Sequence, residues 1–255
     1  MSGTVGGRTI ADVVVAMDER LERLRADSGE GRPAQRAFLT TYRRTTLAVA
    51  DAVADARFED PEWVERWDVV FADLYLEALD GDLSGSGRVS RPWRLAFDAS
   101  GLPALRSVLV GMNAHINYDL PQALLAVIDD VDFEDAHLMH RRRRDHERID
   151  AVLAGRVAAE DAELASTSGR TLIDRALAPA NHAASRRFLR EARRKVWHNT
   201  AELQRARVAG PEAYAARLAE LEVLSAARVA DLLLPGQVVL RLAVAGFGVT
   251  LPPAA

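Results

Sequence analysis

Apolar residues return every three or four positions along most of this chain, and that period predicts helices almost throughout. Ile10, Val13, Val14, Met17, Leu21 and Leu24 form one stripe and predict an amphipathic helix over residues 8–26. After the loop "DSGEGRP", Phe38, Tyr42, Thr45, Val49 and Val53 share one side of a second helix, from Pro33 to about Arg57. Pro61 directly follows Asp60, which suits the first turn of a helix with an aspartate cap. Trp63, Trp67, Val70, Phe71 and Leu74 then continue at three- and four-residue steps. The Gly- and Ser-rich stretch 80–93 predicts a long loop. A helix from near Pro103 should stop or kink around Leu120, because Pro121 disfavours helical geometry before it. Further helices are predicted over 133–157, 171–178, 183–208 and 211–234. Residues 1–7 are expected to be flexible, and the tail 236–255 to pack on the bundle as a last helix or an extended segment. The pattern holds no internal repeat and, outside that tail, no convincing strand alternation. It predicts an all-α fold: a single domain over 1–255, a bundle of roughly seven to nine helices.

Composition narrows the chemistry. The 255 residues include no cysteine, which excludes disulfides, thiolate metal sites and cysteine nucleophiles and fits a reducing compartment. A net charge of −4 argues against nucleic acid as a partner. The N-terminus resembles no secretory leader, and no window of ~18 apolar residues predicts a membrane span. A cytoplasmic location and no stable membrane insertion are therefore expected.

The polar residues that break the pattern are the candidates for function. "GMNAHINYDLP" (111–121) places Gly111, His115 and Asp119 in one row beside the stripe Leu105, Val108, Leu109, Met112, Ile116 and Leu120. A histidine and an aspartate one helical turn apart can share a metal ion, or bond to each other as a structural pair. Gly111 would leave space one turn below. Asn113, Asn117 and Tyr118 lie beside this row and are candidate substrate contacts. In "RRRRDHERIDAVL" (141–153), the phase set by Leu138, Ile149, Val152 and Leu153 points Arg142, Asp145 and His146 at or beside the core. Arg141, Arg143, Arg144 and Glu147 face more toward water. His146 and Asp150 repeat the four-residue spacing of His115 and Asp119. Two such helices could face each other and hold a divalent zinc, manganese or iron through His115, Asp119, His146, Asp150 and Asp73, with Glu77 a weaker candidate. Asp145 would then be the general base and Arg142 would steady developing negative charge. The competing reading is an Arg–Asp–His network that fixes helix register. Trp63, Trp67 and Tyr42 read as core. Arg186, Arg190 and Arg193 could grip an anion but fit a solvated face better. No nucleophile elbow, Walker loop or dinucleotide fingerprint occurs.

Together, "YRRTT", "DPEWVERWDVVFADLYLEAL", "PWRLAF", "GMNAHINYDLPQAL", "DHERID", "RFLREARRKVWHN" and "FGVTLPP" resemble an actinobacterial family known as a domain of unknown function. The resemblance begins near residue 8 and carries no activity with it. A fainter likeness links "HINYDLPQALL" to the helical zinc-dependent phospholipases C and single-strand nucleases, through His115 and Asp119. That likeness implies one or two metals. The next histidine of that pattern is replaced by Leu125, and its N-terminal tryptophan ligand is missing. Three functions remain open: a metal-dependent hydrolase of phosphoesters or esters, a non-enzymatic helical module binding a small molecule or a protein, and a helical enzyme acting on a diphosphate or isoprenoid.

Overall fold

The computed structural model describes residues 7–27, 29, 32–85, 89–102, 104–167 and 194–234, with side chains for all of these except 104, 105, 150 and 153–167. The expected segments 1–6, 171–178 and 236–255, the basic residues Arg186, Arg190 and Arg193, and the side chain of Asp150 lie outside that description.

The described chain is helical and contains no strand. The long helices are α1 (Ile10–Ala26), α2 (Arg32–Ala54) and α3 (Pro61–Ser84). After the short α4 (Arg91–Asp98) comes α5 (Ala104–Ala114), which runs through a π-helical turn (His115–Asp119) into α6 (Leu120–Ala126). A 3₁₀ turn (Asp130–Glu134) leads to α7 (Ala136–Thr167). A helix over 194–209, α8, and α9 (Pro211–Leu233) complete the described chain. Local chemistry sets several ends. Thr9 and Asp12 form a reciprocal capping box on α1. Asp60 accepts from the Trp63 amide at 3.1 Å to start α3, and Gly85 ends that helix in the left-handed region (φ 65°).

The helices α2 and α3 pack antiparallel. Gln35 bonds to Asp82, Phe38 touches Tyr75, and Tyr42 touches Phe71, so the partner number falls as the residue number rises. α2 also packs closely on α1 and α5, and Gly111 is what lets α5 approach. A Cβ at Gly111 would stand 2.5 Å from Phe38 Cδ2, so the space expected below His115 is filled by the Phe38 ring. The core holds Met17, Leu24, Leu39, Trp63, Tyr75, Leu76, Leu79, Trp93, Leu124 and Ile128, all essentially without solvent contact. Each large apolar side chain so buried contributes on the order of 2 kcal/mol.

Two boundaries differ from the sequence reading, and at Pro121 the structure excludes one of the two expected outcomes. α3 continues to Ser84 because Arg20 and Arg23 hold Asp80, and Arg32 and Gln35 hold Asp82, so its last turn is fixed from outside. Within the expected loop 80–93 lies the start of α4, with Pro92 in its first turn. Pro121 does not stop the helix. Its ring would press on the carbonyl four residues back, and the turn before it widens to the π form, with the Leu120 amide donating to the His115 carbonyl.

Candidate functional site

His115 opens the π turn and Asp119 closes it, and both point inward, 3% and 2% exposed. Nδ1 of His115 lies 2.8 Å from Oδ2 of Asp119. The same oxygen accepts the indole N–H of Trp93, also at 2.8 Å. An indole nitrogen can only donate, so Oδ2 acts as an acceptor, and the proton of the imidazole belongs on Nδ1. Burial pushes the His115 imidazole below its usual pKa, against the pull of Asp119, and so favours the neutral ring. Burial also raises the Asp119 carboxyl, against the pull of its two N–H donors. Nε2 of His115 is thus left as a basic lone pair, and it has no hydrogen-bond partner among the described residues.

Aromatic rings surround the imidazole. Phe71 stacks flat on the imidazole, with centroids 3.5 Å apart and planes 4° from parallel. Tyr42 meets it edge-on at 4.6 Å, and Tyr75, Trp93 and Phe38 stand at 5.9, 5.8 and 6.1 Å. Other buried polar atoms of α2 and α3 also lack a partner among the described residues: the hydroxyls of Tyr42, Thr46 and Tyr75, Oδ2 of Asp68, and the indole nitrogens of Trp63 and Trp67. Such groups are normally satisfied, so their number on α2 and α3 is unusual. Asp68 is 4% exposed, and its carboxyl is pushed up to about 7, chiefly by burial and further by the charge of Glu65. Burial also raises the Tyr42 hydroxyl well above its usual value, with Asp68, Asp119 and Asp73 adding to the shift.

The second sequence cluster is buried as its phase predicted: Arg142, Asp145 and His146 are 6%, 0% and 5% exposed. Its bonds are architectural. Asp145 accepts the amides of Glu59 and Asp60, both at 2.8 Å, and a guanidinium N–H of Arg148 at 2.7 Å. It therefore caps the loop between α2 and α3, where a catalytic base was expected. Arg142 donates to Asp132 at 2.8 Å and lies over the Trp63 ring. Nδ1 of His146 accepts from the Trp197 indole at 3.0 Å.

His115 and His146 are not brought to one point. Phe71 stacks on His115, Trp67 follows Phe71 at 5.9 Å, and His146 meets Trp67 at a further 5.9 Å, so two aromatic side chains stand between the histidines. Asp73 is drawn outward into an ion pair with Arg8, and Glu77 is exposed. Among the described residues, no three histidine, aspartate or glutamate side chains gather to hold a metal ion. Of the ligands expected from the sequence, Asp73 and His146 are engaged elsewhere by Arg8 and Trp197, and the side chain of Asp150 lies outside the description. Asn113 and Asn117 turn back on their own helix, donating to the carbonyls of Leu109 and Asn113. Tyr118 faces away from His115, toward a smaller core of Leu125, Leu203 and Leu221.

Trp93 and the buried Asp68 stand outside the sequence expectations, and Tyr42 and Trp67, expected as core, are core residues that also touch His115 and His146 respectively. A signal for Asp68 exists: Val64, Trp67, Asp68, Phe71 and Tyr75 share one helical stripe, which puts a carboxylate in the middle of a buried face. Outside the cage, a small crevice is lined by Gln35, Phe38, Trp93, Ala96, Phe97, Ser107 and Gly111. Phe38 and Trp93 are its inner wall and also two walls around His115.

A family model matches residues 10–235, and it describes a family of unknown function (DUF5995). No curated protein and no solved structure matches the chain.

Proposed function

This chain belongs to DUF5995, a family of unknown function, and from that premise we propose that it is a helical small-molecule-binding protein whose ligand engages Nε2 of His115. The supporting observation is a buried ring nitrogen, its lone pair freed by Asp119 on the other side of the ring, with no partner among the described residues. Leaving such an acceptor unsatisfied costs about 1–3 kcal/mol, and a ligand donor at that point would recover it. Phe38 and Trp93 separate the crevice from His115, so movement of either ring admits a ligand. The polar groups of α7 serve the fold in this reading.

The fixed tautomer also supports a catalytic variant of the reading. A carboxylate that holds Nδ1–H leaves Nε2 able to take a proton from a bound substrate. A hydrolytic function would run through His115, because the oxygens of Asp145 are already committed to the backbone and Arg148.

A fragment screen read by NMR on protein labelled with ¹⁵N in its histidines tests the proposal. Bound fragments should move the Nε2 resonance of His115 and should lose affinity in His115→Phe. Hits that leave that resonance in place, and bind His115→Phe as well as wild type, would contradict it.

A further inference from the structure

We propose that the outward face of α9 is a self-association surface, on which a second copy of this chain docks antiparallel about a two-fold axis at Leu224.

The inner face of α9 belongs to the fold. Leu221, Ser225, Ala226 and Val229 are buried, Glu222 accepts the Arg91 amide at 2.7 Å, and Arg106 donates to the Leu232 carbonyl at 3.0 Å. The outer face of a surface helix is ordinarily charged, as α1 shows with Glu19, Glu22, Arg23 and Arg25. α9 instead exposes Ala216, Ala219, Val223, Leu224, Ala227 and Ala230. Val223 and Leu224 are 50% and 52% exposed, and Leu234, at the end of the same face, is 53% exposed. Among the described residues the other large apolar side chains so exposed, Val15, Val131 and Val208, lie on three different elements, so the exposure concentrates on α9.

The charges at the two ends of this patch identify the occupant. Between Glu220 and Arg228 the exposed residues are Val223, Leu224 and Ala227 alone. Glu220 stands four residues before Leu224 and Arg228 four after it. An antiparallel copy turned about an axis at Leu224 therefore brings Glu220 of each chain against Arg228 of the other, twice by symmetry. Leu224 meets Leu224, and Ala219 comes within one residue of Ala230, small side chains that let two helices approach closely. Arg228 forms no ion pair among the described residues, whereas Arg205, Arg207 and Arg217 each do. Glu220 has the surface contact with Arg217, three residues back, a kind of pair that contributes little and is readily exchanged. A parallel copy would set Glu220 against Glu220 and Arg228 against Arg228. A uniformly acidic or basic partner would meet a like charge at one end of the patch. One pair of helices makes a small interface, so the dimer should be weak, with a dissociation constant in the micromolar range.

Sedimentation equilibrium of the full chain, loaded from micromolar to millimolar concentration, tests this. Wild type should pass from monomer to dimer mass. Leu224→Glu sets two carboxylates face to face at the axis and should leave a monomer throughout. Glu220→Arg and Arg228→Glu should each weaken the dimer about tenfold at low salt, and the double reversal should restore it. Because the chain has no cysteine, a single introduced thiol reads the geometry. Leu224→Cys should give a disulfide-linked dimer on mild oxidation. Ala216→Cys, about 12 Å along the helix from the axis, should not, although in a parallel pair it would. A wild-type monomer at every concentration would overturn the proposal. So would a dimer that Leu224→Glu or the single charge reversals leave intact, or equal cross-linking at the two positions.

Discussion

The Asp119 carboxylate is asked to satisfy two buried N–H groups through a single oxygen. Replacing it with alanine strands the Trp93 indole and Nδ1 of His115 together, so Asp119→Ala should lower stability by about 3–5 kcal/mol in urea unfolding. Asp119→Asn keeps an oxygen for one of them and should cost clearly less. The His–Asp pairing itself was legible, because four-residue spacing stacks side chains on one helical face and the flanking residues are apolar. Its third member was not. Trp93 lies 26 residues away on a helix hidden inside what reads as a Gly/Ser loop, and no local pattern links an indole to a distant carboxylate. Asp73 was a candidate ligand by spacing, yet spacing alone cannot say which acids meet an arginine first. Asp73 meets Arg8.

Two contacts between elements decide where the site sits. α5 reaches α2 only because position 111 has no side chain, so Gly111→Ala drives a methyl into Phe38 and should destabilise by about 1–3 kcal/mol. Phe38→Leu should recover part of that loss in the double variant, a coupling that a double-mutant cycle measures directly. The anchor between α7 and the α2–α3 loop is Asp145, whose two backbone acceptor bonds hold the entrance to α3. Asp145→Ala should cost about 2–3 kcal/mol and expose the amides of Glu59 and Asp60 to hydrogen exchange. The inward phase of α7 could be read from sequence, but the use of its polar groups could not, because a carboxylate suited to a base is equally suited to capping a loop 86 residues away. Pro121 shows a similar limit. Proline predicts a disturbance, and only the packing around it decides between a break and the wider π turn seen here.

At the scale of the whole molecule, the all-α architecture was the most readable feature, since helical periodicity repeats over many turns and most stripes meet in one large core beside a smaller one. No described helix is long and apolar enough to cross a membrane. Buried charge then shapes how global stability responds to pH. Asp68 titrates near 3.8 when unfolded and about 7 when folded. A raised carboxyl stabilises fully below the lower value, and that contribution is lost as pH climbs toward the upper one. Stability should therefore fall between about pH 4 and 7 by an amount on the order of 4 kcal/mol attributable to Asp68, and Asp68→Asn should flatten that slope. Glu59, held at about 2 by Arg144 and Arg148, acts in the opposite sense, and its contribution disappears as pH falls from 4.5 toward 2. Denaturant unfolding of wild type and Asp68→Asn at stepped pH separates the two.

The central claim is that His115 stays neutral in the folded protein, with its proton on Nδ1 and a bare Nε2 facing the aromatic interior. Histidine ¹⁵N NMR from pH 5 to 8, with His115→Gln used to assign the signals, measures this directly. The expected result is one protonated and one unprotonated ring nitrogen for His115 at neutral pH, with the protonated signal at Nδ1 and any titration displaced below the ordinary histidine range. A proton on Nε2, or a titration near the ordinary 6.5, would contradict it.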